Sequence, residues 1–542
     1  MTPALAQPSF GRKASQAAGA VVLFGGLFAL AALTGLLIAV GNGNPAMAFA
    51  VPVGAGALYG MWKLPLRYSA MGVLFLMFVA DYLPEGPYSN YWASPFSLLG
   101  QFLFLNLSAL SGIGALRFPG LDLMVIALLA LSGIRRALGI RIDVRAPGAR
   151  LLNGVLMVEL AAVVGLDVWG TLTGGNFNES LWQLRQLLLL PMMTFMFMAA
   201  IPGRTKDLKL IAKVMVAGAV IKAFCGMYFH FMVVRPQGLV VEFTTSHSDT
   251  LLFVPLLGMQ IAFFFFTKRI RAAWRTALVW LPIVVYGMIL NDRRLAYVSL
   301  GGCVLCLMLM VDARHTARRK VLKAFIVLSP LIAVYTGAGW NSNNPVFGGA
   351  QLIKSLIKGD QAQSGADYRD IENFDVLYTW SEASPMPAGF GHTFLEPVKL
   401  PDISFAMPTY QYHPHNTILW MWTIGGVFGF FALFAPMVAC VFLAARAFRR
   451  ATDPIDQTAC MTCIFMVIAH VNQCFGDMGT RTYFGSMGMA VAMAVASKLA
   501  VRLGAWPAPT VARGAQYEAL PPISQLGPTD ETIRLPPGAG VR

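Results

Sequence analysis

Residues 417–443 read TILWMWTIGGVFGFFALFAPMVACVFL, an uncharged run introduced by His413-Pro414-His415-Asn416 and followed by Arg446, Arg449 and Arg450. A helix rises about 1.5 Å per residue and the hydrocarbon of a bilayer is about 30 Å thick, so this run is long enough to cross one. Working outward, apolar runs recur at 19–40, 46–62, 69–83, 119–134, 151–171, 181–201, 210–231, 250–266, 276–290, 295–311, 324–339, 457–475 and 482–499. Charged residues make up 12% of the 542 residues, where soluble domains carry roughly 25%. The chain therefore reads as an all-α polytopic membrane protein with about fourteen transmembrane helices, within a range of about 12–14. The membrane domain spans 19–500, after a short N-terminal segment, 1–18. The tail, 501–542, is rich in Pro and Gly and cannot bury a core.

Charge placement sets the expected sidedness. The net charge of +15 comes from short clusters between apolar runs, such as Arg135/Arg136/Arg141/Arg145, Lys268/Arg269/Arg271/Arg275, Arg314/Arg318/Arg319/Lys320 and Arg446/Arg449/Arg450. This is the positive-inside pattern of cytoplasmic loops, and no cluster is extended enough for nucleic acid. It puts both termini in the cytoplasm and one large loop, 340–416, outside. The apolar segment 97–116 reads as re-entrant or interfacial, since counting it as a span would reverse the side of Arg135–Arg150. Ala46-Met47-Ala48 resembles a signal-peptidase site, but the run before it is long for a signal peptide, and a retained first helix fits better. Cys303/Cys306 and Cys460/Cys463 have Cys-x-x-Cys spacing inside apolar runs, without further ligands at zinc spacing. They read as small buried thiols, with no metal or cofactor implied.

Three groups of residues point to chemistry. The turn Asn291-Asp292-Arg293-Arg294 joins two spans on the outer side, against the positive-inside rule. Either Asp292 pairs with one arginine while the other reaches lipid phosphates, or the guanidinium forks bind an anion. The outer loop carries Tyr368-Arg369-Asp370-Ile371-Glu372, Pro387-Ala388-Gly389-Phe390-Gly391-His392 and His413-Pro414-His415-Asn416-Thr417. Asn416 or Thr417 can cap the following helix, which leaves His415 just ahead of a helix N-terminus, a position from which an imidazole can move protons. Within the spans, Glu159 and Lys222 read as a structural ion pair, while Arg185 lacks a partner in its own helix. His247 and Asp249 read as a helix cap that could also join the outer cluster. Arg185, Arg293, Arg294, Arg369 and His415 are expected to converge on the outer face.

At these residues the chain resembles the O-antigen ligase and polysaccharide polymerase family of bacterial inner-membrane proteins, over roughly 151–499. The resemblance rests on Arg294-Leu295-Ala296-Tyr297, on Tyr368-Arg369 through Pro387–Gly391, on His415-Asn416-Thr417-Ile418-Leu419 with Gly425-Gly426, and on Leu181-Trp182-Gln183-Leu184-Arg185. The double arginine and the His-Pro-His start depart from the family pattern, which leaves open which arginine and which histidine carry the family roles. Arg294 and His415 align best.

The resemblance implies a metal-independent C-type glycosyltransferase. It would take glycan from an undecaprenyl-diphosphate carrier to an acceptor sugar in the periplasm, either polymerising exopolysaccharide or O-antigen or ligating glycan to lipid A-core. His415 would be the catalytic base, with Arg293, Arg294, Arg185 and Arg369 on the diphosphate. His413, Asn416, Glu372 and His247 would support them. Besides the lipid-linked donor, the glycan or lipid A-core acceptor and membrane lipids, other polysaccharide-assembly proteins are conceivable partners. The reading from a different class is a flippase for lipid-linked oligosaccharide or another multi-span transporter. Neither an internal repeat nor a cluster of midplane charge supports it.

Overall fold

The computed structural model describes residues 24–36, 38–39, 46–80, 94–108, 118–140, 142–143, 146–239, 244–291, 293–342, 347, 350, 353–354, 364–383, 386–404 and 409–508. The predicted N-terminal segment 1–18, Asp292 and the tail from 509 onward lie outside the described residues. Regular structure among those residues is helical, with one isolated antiparallel bridge between Asn106 and Pro119. The helices begin with α1 (Phe24–Leu36), α2 (Ala46–Lys63), α3 (Leu66–Val79), α4 (Ser97–Phe104) and α5 (Gly120–Ala137). They continue with α6 (Arg150–Leu172), α7 (Phe177–Ala200), α8 (Thr205–Phe229), α9 (Thr250–Phe266), α10 (Ile270–Leu290) and α11 (Arg294–Met310). The last are α12 (Thr316–Gly339), α13 (Ser364–Ala383), α14 (Thr417–Arg450), α15 (Pro454–Gly476) and α16 (Tyr483–Arg502).

Among the described residues, nine helices are long and apolar enough to cross a membrane, and the protein is a multi-pass membrane protein. They are α6 to α10, α12 and α14 to α16, while α1, α3 and α11 are shorter apolar helices. In the segment 97–116, α4 is only 8 residues long, and Asn106 then pairs with Pro119. Residues 109–117 are not among those described.

The bundle is built around α16, which packs against α7, α14 and α15. Its sequence alternates Ala, Gly and Ser with Met, so backbones approach closely and the flexible thioethers fill the remaining gaps. Gly488 shows the limit of that approach, since a Cβ there would sit 2.6 Å from the Met466 Cε. The cysteines follow from the same packing: all are free, and all but the half-buried Cys306 are buried.

Helix α14 is broken at Gly426, where φ is 56° and ψ is −161°. The carbonyls of Thr423 and Ile424 beside the break accept from the backbone N–H groups of Ala388 (3.1 Å) and Gly389 (3.0 Å) in the outer loop. These bonds supply partners that the interrupted ladder lacks. The same turn docks on α6, where Trp169 Nε1 donates to the Pro387 carbonyl at 2.8 Å and Phe390 N to the Leu166 carbonyl at 3.2 Å. The close approach needs Gly170, because a Cβ there would lie 2.0 Å from the Phe390 carbonyl oxygen.

The intramembrane ion pair differs from the one expected. Lys222 Nζ lies 3.7 Å from Asp249 Oδ1 and donates to the Ala80 carbonyl at 2.7 Å. Glu159 is fully buried, and neither carboxylate oxygen has a hydrogen-bond partner among the described residues. Hydropathy put Glu159 and Lys222 at comparable depth, but Asp249 reaches Lys222 from the start of α9.

Candidate functional site

The site begins at the start of α14. Asn416 caps this helix, its side-chain oxygen accepting from Leu419 N at 3.2 Å, as the sequence suggested. Just ahead of the cap, His415 faces Glu372 of α13. Its Nδ1 lies 3.1 and 3.0 Å from the two Glu372 carboxylate oxygens, and its backbone N–H donates to Oε2 at 2.8 Å. The Glu372 side chain is fully buried, whereas that of His415 is 20% exposed. A carboxylate beside Nδ1 fixes the tautomer with the proton on that nitrogen, leaving Nε2 as the proton acceptor. Tyr368 meets the His415 ring edge-on at a centroid distance of 5.8 Å. Burial, followed by the negative charge of Glu372, pushes its phenol well above the usual range.

Helix α13 is positioned by its own side chains on the extended segment that follows it. Leu395 N donates to Thr379 Oγ1 at 2.8 Å and Val398 N to Asp375 Oδ1 at 3.2 Å, while Val376, Phe394 and Leu400 form a small apolar core. Those anchors explain how a loop of low hydropathy presents Glu372 at a fixed point.

A second network lies one hydrogen bond away, through Met478 N, which donates to the His415 carbonyl at 2.7 Å. Met478 is the non-glycine residue with positive φ (50°) among the described residues, a strained conformation held by that bond. Its neighbour Asp477 accepts through Oδ2 from Arg293 at 2.8 Å and contacts His247 Nδ1 at 2.7 Å, with Gln473 Nε2 at 3.2 Å. Burial alone would raise the Asp477 carboxyl. The hydrogen bond and charge of His247, with the charges of Arg293 and Arg369, outweigh it and hold the group down to about 2. One carboxylate thus faces two guanidinium charges and an imidazole, one hydrogen bond away from His415.

The expected convergence is realised for some residues only. Arg293 pairs with Asp477 across the bundle, while Asp292, its expected partner, is not among the described residues. Arg294 is half-buried and opens α11. Arg369 contributes its charge to Asp477. His247 joins the cluster, and Asp249 holds the N-cap position of α9 without a side-chain capping bond, while Ser246 caps the short turn before it by accepting from Ser248 N at 3.2 Å. Arg185 is committed elsewhere: it lies 2.7 Å from Asp122 Oδ2, with Trp182 and Tyr483 rings 5.7 and 5.9 Å from its guanidinium carbon. His413 is buried against Trp420 at 5.7 Å, away from Glu372. Asp477 is the residue that sequence reasoning missed. Its only local signal is an acid in the short turn after an apolar run.

On a multi-span helical membrane scaffold, the structure thus holds a histidine against a buried carboxylate, next to a second carboxylate that meets arginine charge. A family model described as O-Antigen ligase matches residues 277–434, a stretch that contains Arg293, Arg294, Arg369, Glu372, His415 and the break in α14. The match bears out the O-antigen ligase resemblance over that stretch, while Arg185, His247 and Asp477 lie outside it. No curated protein matches the chain.

Proposed function

We propose that this protein transfers glycan from an undecaprenyl-diphosphate carrier to an acceptor sugar at the periplasmic face of the bacterial inner membrane, without a metal ion. In this reading about fourteen helices span the bilayer. The loop 340–416 is periplasmic, both termini are cytoplasmic, and O-antigen, exopolysaccharide or lipid A-core supplies the acceptor. The observation that carries the reading is the Glu372–His415 contact tied through Met478 to Asp477, Arg293 and His247.

His415 Nε2 takes the proton of the acceptor hydroxyl as its oxygen bonds to the anomeric carbon. The bond from that carbon to the diphosphate oxygen breaks, and its electron pair stays on the leaving diphosphate. Arg293, Arg294 and Arg369 supply fixed positive charge where that negative charge develops. Glu372 holds the ring during the transfer and stabilises the imidazolium that forms.

The test is transfer by purified protein from a lipid-linked donor, with lipid A-core and lipid-linked repeats offered as alternative acceptors. His415→Ala should lower the rate by roughly 10²–10⁴ at unchanged protein abundance. Glu372→Gln should lower it as well, because an amide can hold the ring in the wrong tautomer. A fewfold loss in His415→Ala would remove the base from this account. A periplasmic reporter fused at Gln363 should be active, and a cytoplasmic signal there would overturn the topology.

A further inference from the structure

The other end of α14 carries a feature that glycan transfer does not use. Phe442, Arg446, Arg449, Arg450 and Ala505 line a cavity of about 270 Å³. At about 30 Å³ per water, that is ample room for a hydrated phosphodiester. The Arg446 guanidinium carbon sits 5.6 Å from the Phe442 ring and 5.5 Å from the Trp506 ring, and those two rings meet edge-on at 5.8 Å. Stacking of this kind fixes the plane of a guanidinium while leaving its N–H edge free to bind.

None of the three arginines forms an ion pair among the described residues, and the two acids closest in sequence are already engaged. Asp453 caps α15 by accepting from Ile455 N at 2.7 Å and Asp456 N at 3.4 Å. Asp456 pairs with Arg502. The negative end of the helix dipole favours cations in this last turn, which accounts for Arg449 and Arg450 being there. It does not account for a stacked Arg446 one turn earlier or for the open volume between them.

The helix face leading to the cavity is apolar and uncovered. Phe431, Val438 and Phe442 are 61%, 56% and 41% exposed, and their spacings of two turns and one turn bring them into line with Arg446. One face therefore passes from hydrocarbon-compatible side chains to guanidinium groups, with a tryptophan at the junction. Free phosphate would use only the charged end of such a surface. A phospholipid uses all of it, acyl chain on the apolar strip and phosphate in the cavity.

We propose that the cavity lined by Phe442, Arg446, Arg449, Arg450 and Ala505, with Trp506 beside Arg446, is a binding site for the phosphate headgroup of an anionic phospholipid in the adjoining leaflet. The site is independent of the reaction assigned to the His415 end.

The experiment is native mass spectrometry of the full-length protein, released from detergent with phosphatidylglycerol, phosphatidylcholine or inorganic phosphate. One phosphatidylglycerol should be retained in preference to phosphatidylcholine, and millimolar inorganic phosphate should not displace it. Replacing all three arginines by Gln should weaken retention by about a hundredfold, on the scale of about 1 kcal/mol for each arginine near a lipid phosphate. Trp506→Leu keeps the charges and should weaken it by a smaller factor. Arg269→Gln/Arg271→Gln, which removes basic residues elsewhere, should leave it unchanged.

Equal retention by the wild type and the triple variant would overturn the proposal, as would displacement by inorganic phosphate. A chain ending at Ala508 that gains lipid binding the full chain lacks would also overturn it, because Glu518, Asp530 or Glu531 of the tail would then be the occupant. Near-UV circular dichroism of each variant identifies any loss of fold, and Arg446→Lys/Arg449→Lys/Arg450→Lys offers a charge-preserving set whose retention should be intermediate.

Discussion

The two ends of α14 treat charge in opposite ways. At its N-terminal end three of the functional groups meet partners within the protein: Asn416 bonds Leu419 N, His415 contacts Glu372, and Arg293 contacts Asp477. At its C-terminal end Arg446, Arg449 and Arg450 border open volume and meet no acid among the described residues. The first arrangement holds side chains in place before substrate arrives, so little reorganisation is left for the reaction. The second leaves charge uncompensated until something from outside the chain supplies it. Arginine count alone does not distinguish them. The position of Asp477 does.

The comparison breaks most readily at Arg293. Arg293→Ala should lower glycan transfer by about 10²–10³, the cost typical of removing one preorganised donor, whereas Arg446→Ala should leave transfer within a fewfold of wild type in the same assay. Comparable losses in both would mean that the paired and unpaired ends are not functionally distinct.

A smaller effect is expected from Asp477→Asn, read by thermal or denaturant unfolding. The carboxyl is held at about 2, below its ordinary value of 3.8, so it contributes stability that is fully present above about pH 4. That contribution is lost as the pH falls from there through about 2. At neutral pH the variant should lose about 2 kcal/mol, and the gap between it and the wild type should close on acidification. A gap that stayed constant down to about pH 2 would show that the ionised Asp477 contributes nothing to the fold.

The smallest effect sharpens the distinction between capping and catalysis. Asn416→Ala removes the bond to Leu419 N and should cost about 1 kcal/mol of stability. Transfer per folded molecule should fall much less than in His415→Ala. If the two variants lost equal activity at equal folded fraction, the role given to His415 would reduce to holding the start of the helix.

Much of the scaffold was legible in the sequence because a bilayer imposes one requirement, a long apolar helix, that leaves its mark in contiguous residues. The cap at Asn416 was legible for the same reason, being local. The site was legible in pieces: Arg293, His247 and His415 stood out beside apolar runs, and Arg369 and Glu372 within the long hydrophilic loop. Their connections were not, because the pairings of Arg293 and His247 with Asp477 cross 184 and 230 residues, and no periodicity encodes them. The partner of Arg185 was hidden for the same reason, since Asp122 belongs to a helix that hydropathy describes only as apolar. The Lys222–Asp249 pair repeats the lesson: depth in the membrane restricts the choice of partner without deciding it.

The hydrogen bonds from Ala388 and Gly389 to the carbonyls beside the Gly426 break bear on how this architecture can be recombined. A loop of this length invites exchange between related scaffolds as an interchangeable part. Cutting it out would strand the Thr423 and Ile424 carbonyls where no water replaces the lost donors, and grafting it elsewhere would require a residue as small as Gly170 to receive Phe390. The smallest unit of exchange is therefore discontinuous in the gene: the turn 387–391, the end of α6 around Leu166–Gly175, and α14 from Asn416 past Gly426. Chimaeras that move all three together should preserve membrane integration, and those that move the loop alone should not.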